Sequence, residues 1–301
     1  MRCLDLFAGA GGFSTGAVQA GCTVVAAANH WPAAVEAHSR NHPSTQHICQ
    51  DLCQADFTTF PTHDILLASP ECRGHTRARG KEAKHHDASR STAWAVISCA
   101  EVHRPHAIVA ENVPEFLRWQ LYPAWKSALY MLGYDITENV VNAADYGVPQ
   151  NRVRALIIAM KGRAPRIQAA RRPKIPARAI INLDAGRWGA IKRAGRSENT
   201  LRRIVEGRKQ HGQTFIIAYY GSERGGRSID VPLGTVTTRE RFAVVHKDCM
   251  RMLSVDEYRA AMGFQPDYWL PNHRKTAVKL LGNAVPPALA MAALEWVLKS
   301  A

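Results

Sequence analysis

Apolar and polar positions along the first 160 residues fall into short blocks whose lengths suit strands and helices in turn. Arg2-Cys3-Leu4-Asp5-Leu6-Phe7 reads as a strand, Ala8-Gly9-Ala10-Gly11-Gly12 as a glycine turn, and residues 13–20 carry helical spacing. Residues 22–28 read as a second strand, ended by Asn29-His30-Trp31-Pro32, and residues 33–40 as a helix that the proline opens. A third short strand precedes Gln50-Asp51-Leu52. Next, His63-Asp64-Ile65-Leu66-Leu67-Ala68 reads as a buried strand that Ser69-Pro70 turns into Glu71-Cys72. Residues 91–102 predict a helix capped by Ser91, with Ala93, Val96, Ile97 and Ala100 on one face. Residues 105–110 predict a fifth strand, ending in Glu111-Asn112-Val113-Pro114. A helix over 119–132, a strand over 135–143 and a strand over 150–160 follow, and Arg152 and Arg154, two apart, are expected on one face of the last. Strands alternating with helices in this way predict an α/β fold.

Beyond residue 162 the pattern weakens. Helical spacing holds only over 200–210, strands are expected at 214–220 and 242–246, and donor-rich loops lie at 221–227 and 234–239. A helix capped by Ser254 runs to Met262, and Gly282-Asn283-Ala284-Val285-Pro286-Pro287 leads into a last helix ending near Lys299.

Charge divides the chain more sharply than hydropathy does. Of the net +14, residues 1–150 carry −3, residues 151–250 carry +15 and residues 251–301 carry +2. A surplus so confined repels itself unless a polyanion neutralises it, so the middle segment reads as a polyanion-binding module inserted into a near-neutral domain. At 301 residues, 46% of them hydrophobic, the chain is long enough for one large and one smaller domain. No run of about 18 apolar residues and no signal-peptide pattern opens the chain, so a soluble, cytoplasmic protein is expected. The seven cysteines form no CxxC pair, which argues against a disulfide framework or a zinc ribbon. Cys49 and Cys53, near His47, are expected to be buried beside a strand, and no metal is expected.

Candidate chemistry gathers where strands end. Cys72 has charged, turn-rich surroundings, with Glu71 before it and Arg73, His75, Arg77, Arg79 and Lys81 after it, the setting of a reactive thiolate. Glu111 follows an unbroken apolar run, which puts a carboxylate at the functional edge of the sheet. The strand, glycine turn and helix at residues 2–20 suit a nucleotide-like ligand. Asp5 would repel phosphate there and suits a ligand with ammonium and sulfonium groups, as in S-adenosylmethionine. His30 stands where an acid for ribose hydroxyls is expected, Trp31 is placed to stack on adenine, and Asp51 to accept from the adenine amine. Thr235, Thr237 and Arg239 offer donors for phosphate and base contacts.

In order along the chain, Asp5-Leu-Phe-Ala-Gly-Ala-Gly-Gly-Phe13, Pro70-Glu71-Cys72, Glu111-Asn112-Val113, Gln150-Asn-Arg-Val-Arg154, Arg259-Ala-Ala-Met-Gly263 and Gly282-Asn-Ala-Val285 resemble the motifs of the cytosine-5 DNA methyltransferases. The resemblance leaves uncovered mainly residues 162–247, which hold the place of that family's target-recognition region. It implies a Rossmann-like S-adenosylmethionine-dependent methyltransferase domain at 1–163, an inserted target-recognition domain at 164–272, and a C-terminal helix at 273–301 returning to the catalytic domain. It further implies a cofactor site of Asp5, Phe7, Ala8, Gly9, Gly11, Gly12, His30, Trp31, Asp51, Leu52, Pro70, Asn283 and Val285. The catalytic set it implies is Cys72, Glu111, Arg152 and Arg154, with Arg73, Arg77, Arg79, Thr235, Thr237 and Arg239 contacting nucleic acid. The expected activity is methylation of carbon 5 of a flipped-out cytosine in double-stranded DNA by a monomeric, nucleoid-associated enzyme of the restriction-modification kind.

Three positions depart from the family pattern. Glu71 replaces the usual proline, Arg73 the usual glutamine, and His30 the usual ribose-binding glutamate. Glu71 disfavours a thiolate at Cys72 and Arg73 favours one. Three alternatives stay open from sequence: the same chemistry on transfer RNA, methylation of an exocyclic amine, and a non-catalytic DNA-binding protein with this fold.

Overall fold

The computed structural model describes residues 1–71, 92–168, 170, 172–220 and 224–301. The chain forms two compact units. One holds Met1–Tyr146, Val153–Arg171 and Ala284–Ala301; the other holds Gly147–Arg152 and Arg172–Asn283.

The first unit is built on a seven-stranded sheet in the order β3-β2-β1-β4-β5-β7-β6. Its strands are β1 (Arg2–Leu6), β2 (Thr23–Asn29), β3 (Gln46–Cys49), β4 (Ile65–Ala68), β5 (Ala107–Asn112), β6 (Asp135–Asn142) and β7 (Val153–Met160). The first five pair in parallel, and β7 runs antiparallel between β5 and β6. Every residue of β4 and β5 is buried, as expected of parallel strands covered on both faces. Leu4 and Leu6 join one core with Leu66, Ile108 and Ile157, under helices α3 (Trp94–His103) and α4 (Tyr122–Met131). Alternation along the strand sends Asp5 to the opposite face, where it meets α1 (Gly12–Gln19), itself packed beside α2 (Pro32–Asn41). Helix α3 begins at Trp94 with Ala93 at its N-cap, not at a Ser91 cap, and Ser91 lies outside the described residues. Phe7, expected to extend β1, leaves the strand with φ +60 and opens the glycine turn. Cys49 and Cys53 are exposed, correcting the burial expected of them, because Cys49 ends the edge strand β3 and Cys53 lies in the turn beyond it.

The second unit carries a smaller antiparallel sheet in the order β10-β9-β11-β12-β8. These strands are β8 (Gly189–Ala190), β9 (Thr214–Ala218), β10 (Arg227–Ser228), β11 (Phe242–His246) and β12 (Cys249–Met252). Helix α5 (Glu198–His211), capped by Ser197, packs Ile204 on Phe215, Ile217, Ala243 and Val245. Gly207 makes that contact feasible, since a Cβ there would lie 2.2 Å from the Phe215 ring. Helix α6 (Val255–Ala261) starts in a capping box of Ser254 and Glu257. Buried Glu257 also holds Arg251 through both carboxylate oxygens, at 2.6 and 2.8 Å. Helix α7 (Arg274–Asn283) ends this unit, and α8 (Pro287–Ser300) belongs to the first. Among the described residues, the stretch Arg274–Ser300 contains an 18-residue window apolar enough to cross a membrane, yet 67% of that window is buried within the protein.

Helix α8 lies against α1 at a point where a side chain has no room. A Cβ on Gly16 would sit 2.5 Å from the Ala290 Cβ and 2.6 Å from the Pro287 carbonyl. Gly16→Ala is therefore expected to destabilise the first unit by about 1–3 kcal/mol despite its better helix propensity, read as a lower urea midpoint at unchanged slope.

Candidate active site

The C-terminal ends of the parallel strands form one edge of the large sheet. After β3 the chain returns to the other side of β1, so β1 and β4 flank the crossover point where open α/β sheets bind ligands. Three backbone bonds keep the loops at that edge together: Ala8 N–H to the Ala28 carbonyl at 3.1 Å, Gln50 N–H to the Asn29 carbonyl at 3.1 Å, and Ser69 N–H to the Leu6 carbonyl at 3.2 Å. The predicted residues Asp5 to Gly12, His30 and Trp31, Asp51 and Leu52, and Pro70 all lie on these loops or the strand ends feeding them. Val285 is buried in the first unit just before α8, whereas Asn283 is the exposed last residue of α7 in the second.

Donors and acceptors at this edge fit S-adenosylmethionine. Gly11 caps α1 at φ +90 with no side-chain bond, which leaves helix N-terminal amides facing the turn. The Asp5 carboxyl is fully buried, its Oδ1 without a hydrogen-bond partner, and burial pushes its pKa up to about 7. An orphaned acceptor at this position suits a cationic, amino-bearing ligand. Trp31 is half-buried at the N-cap of α2, its own N–H bonded to Asn29 Oδ1 at 2.9 Å. Asp51 and His30 are exposed, and Leu52 is buried as part of the core of the first unit. Among the described residues no group of three His, Cys, Asp or Glu side chains has metal-binding geometry.

Glu111 and Arg154 meet because β7 runs against β5. Glu111 pairs with Leu156 in the ladder, which brings the first residues of β7 alongside the last of β5. The Arg154 Nε lies 2.7 Å from Glu111 Oε1, with only 11% and 8% of the two side chains exposed. Asn112, which the sequence reading did not single out, ties β5 to β4 through a 3.2 Å bond from its amide to the Pro70 carbonyl. The next residue, Glu71, donates its N–H to Thr92 Oγ1 at 3.0 Å. Cys72, Arg73, Arg77 and Arg79 lie outside the described residues.

Arg152 does not share a strand face with Arg154, because β7 begins only at Val153. It belongs to the second unit, where it is 2% exposed and donates at 2.9 Å to the carbonyls of both Val236 and Gly282. Gln150, fully buried, grips the same region: it accepts from Val236 N–H at 2.7 Å and donates to the Ala261 carbonyl at 2.9 Å. The segment with Thr235, Thr237 and Arg239 is thus pinned at Val236. Thr235 Oγ1 bonds to the Asn151 carbonyl at 2.8 Å, Thr237 Oγ1 to the Arg239 carbonyl at 3.0 Å, and Arg239 is exposed. Gly282 is required there, since a Cβ would lie 2.3 Å from the Thr237 carbonyl carbon.

Sequence reading also missed Ser14 and His38, which bond in series to Asp5. The signal was present in the helical spacing of α2 but gave no reason to link it to β1. The raised pKa of Asp5 has a definite sign in stability. Between about pH 4 and about pH 7 the folded chain keeps a proton that the unfolded chain releases, so this group lowers stability as pH rises. Burial lowers the pKa of His38, His42 and His47, whose slope is opposite, so the comparison must be between proteins. Relative to Asp5→Asn, the unaltered chain is expected to lose on the order of 1–3 kcal/mol of stability from pH 5 to pH 8, measured by urea unfolding at both.

Comparison with known proteins agrees with this architecture. The family profile described as C-5 cytosine-specific DNA methylase matches residues 1–299. A type II methyltransferase, M1.HphI of Haemophilus parahaemolyticus, is 26% identical over 98% of this chain and 86% of its own length. The type II methylase M.HgiDII of Herpetosiphon aurantiacus is 27% identical over 95% of this chain and 92% of its own. Among solved structures, that of DNMT2 from Spodoptera frugiperda superposes with a TM-score of 0.72 at 17% identity, covering 99% of both chains, and so shares the fold. The chain therefore belongs to the C-5 cytosine-specific DNA methylase family and is a cytosine-5 methyltransferase, an enzyme of a kind that uses S-adenosylmethionine.

Proposed function

We propose that the protein methylates carbon 5 of a flipped-out cytosine in double-stranded DNA through a covalent adduct with Cys72. The observation that carries this reading is the Glu111–Arg154 contact at 2.7 Å, on the strand next to the one that leads into Cys72. Carbon 5 of cytosine is a weak nucleophile. Addition of the Cys72 thiolate at carbon 6 turns the ring into an enamine that is nucleophilic at carbon 5. Glu111 acts as an acid or hydrogen-bond donor at ring nitrogen 3 and offsets the charge that gathers there. Arg154 holds the oxygen on ring carbon 2, and its contact with Glu111 fixes the two groups relative to each other. Bound S-adenosylmethionine supplies the methyl group, held by Asp5, the glycine turn, His30, Trp31 and Asp51. A base then removes the carbon 5 proton, and elimination of the thiolate restores the aromatic ring. Stacking covers the ring face that the thiolate and methyl donor must approach and pairing occupies nitrogen 3, so the target base leaves the helix.

The second unit supports a target-recognition role. It holds 22 Lys and Arg against 10 Asp and Glu, whereas the first holds 17 against 15. Arg152 acts there by bracing the segment that presents Thr235, Thr237 and Arg239 to nucleic acid, and Arg73, Arg77 and Arg79, which follow Cys72 in the sequence, add further contacts.

A duplex containing 5-fluorocytosine is expected to trap a covalent complex with the unaltered protein and none with Cys72→Ala, read by denaturing electrophoresis. Absence of any trapped species from the unaltered chain on methylatable DNA refutes the adduct. Transfer of labelled methyl groups to RNA and not to duplex DNA refutes the substrate. Glu111→Gln is expected to lower kcat by about 10²–10⁴-fold with little change in KM. Glu71→Pro is expected to keep methyl transfer while costing about 0.5–1.5 kcal/mol of stability, because proline lacks the N–H that Thr92 accepts.

A further inference from the structure

Asp5 is the buried end of a hydrogen-bonded chain that reaches the protein surface. Its Oδ2 accepts from the Ser14 hydroxyl at 2.7 Å. Ser14 Oγ lies 2.9 Å from His38 Nε2, and His38 Nδ1 lies 2.8 Å from His47 Nε2. Asp5 and Ser14 are fully buried and His38 is 1% exposed; His47, on edge strand β3, is only half-buried. Four groups from β1, α1, α2 and β3 are thus joined by three short contacts, and solvent meets only the last.

The directions of these bonds are coupled. Ser14 has one proton to donate, and a neutral His38 ring has one N–H. When Asp5 is ionised, Ser14 donates to it, His38 donates from Nε2 to Ser14, and His38 Nδ1 accepts from His47. When Asp5 is protonated, it donates to Ser14, Ser14 donates to His38 Nε2, and His38 donates from Nδ1 to His47. Interconversion needs three proton shifts: His47 Nε2 to His38 Nδ1, His38 Nε2 to Ser14 Oγ, and Ser14 Oγ to Asp5 Oδ2. In that exchange the positive charge of a His47 imidazolium and the negative charge of Asp5 disappear together, so it is neutral overall; pH enters where the His47 imidazolium loses its Nδ1 proton to solvent, which leaves His47 neutral and Asp5 ionised, with one proton gone to water.

We propose that Ser14, His38 and His47 form a proton relay that sets the charge of Asp5 beside the glycine turn, with His38 as its positioning residue, so that affinity for the cationic cofactor depends on pH. The role of Asp5 at the cofactor rests on the reading given under Proposed function. Burial supports the device: it pushes Asp5 up to about 7, holds the pKa of His38 well below 6.5 and lowers that of His47, so the proton rests on Asp5 and not on the histidines through which it exchanges. Few other ionisable groups compete. Helix α2 contributes His42, whose ring is 4.6 Å from that of His38 and whose Nε2 is 3.2 Å from Thr15 Oγ1. Its Glu36 and Arg40 pair with each other on the outer surface. On β1 the neighbour on the same face is Cys3, its thiol pushed up beside Cys22. Helix α1 and strands β2 and β4 carry no acidic or basic residue, and on α8 both Glu295 and Lys299 are exposed.

The test is a pH titration of the full chain labelled with ¹⁵N at histidine and ¹³C at aspartate carboxyls. His38 is expected to change tautomer, from Nδ1–H at low pH to Nε2–H at high pH, with the same midpoint as the Asp5 carboxyl. The change is expected to vanish in Asp5→Asn and in Ser14→Ala. A His38 tautomer that stays constant from pH 5 to pH 9, or one that changes identically in Asp5→Asn, overturns the relay. In parallel, calorimetric titration with S-adenosylmethionine alone is expected to show binding about tenfold weaker at pH 6 than at pH 8. His38→Gln is expected to shift that profile. A coupled tautomer change with pH-independent cofactor affinity keeps the relay and overturns the placement of Asp5 at the cofactor.

Discussion

The reversal of β7 within an otherwise parallel run of neighbours is the constraint on which the candidate catalytic edge depends. A parallel strand in that position would begin at the far end of the sheet and deliver Arg154 away from Glu111. Running antiparallel, β7 begins where β5 ends, and a guanidinium and a carboxylate meet at 2.7 Å in a largely dry setting. Removing two charges from water is costly, and each partner offsets that cost for the other. Such a pair is rigid in a way that two exposed side chains are not, and rigidity is what orientation of a planar ring requires. Asn112, bonded to the Pro70 carbonyl, extends the same rigidity to the strand end that leads into Cys72.

Much of this edge was legible in the amino-acid order because buried parallel strands announce themselves. Ile65-Leu66-Leu67-Ala68 and Ala107-Ile108-Val109-Ala110 are unbroken apolar runs, and a carboxylate directly after such a run has few places to go except a strand end. Period-two spacing misled at Arg152 and Arg154, because spacing reports a face only where a strand exists, and the backbone at Arg152 has not yet joined the sheet. The start of α3 was misplaced for a related reason: Ser91 is a good cap by composition, yet Ala93 stands at the helix boundary without any side-chain cap. The chain from Asp5 to His47 was illegible because each link joins a different element, and no local pattern encodes how β1, α1, α2 and β3 come together.

Three glycines show the same limit from another side. Gly16, Gly207 and Gly282 lie within helices, where glycine is intrinsically poor, and sequence alone suggests only local weakness. In the structure each sits where backbone or ring atoms of a neighbour occupy the space of a side chain. Their use is tertiary, and it fixes how closely α1 meets α8, α5 meets β9, and α7 meets the Thr237 backbone.

The grip of Gln150 and Arg152 on the second unit has an evolutionary consequence. Most of the bonds they make there are to main-chain groups: the carbonyls of Ala261, Val236 and Gly282 and the N–H of Val236. Main-chain groups are the same whatever residue carries them. The exposed side chain at 239 is therefore free to be exchanged without loosening the frame that presents it, provided position 282 stays without a Cβ, whereas exchange at 235 or 237 also gives up a hydroxyl bond to the Asn151 or Arg239 carbonyl. On the proposed target-recognition role, a scaffold of this kind diversifies what it reads by substitution in one short segment, while the chemistry proposed for the other unit is inherited unchanged.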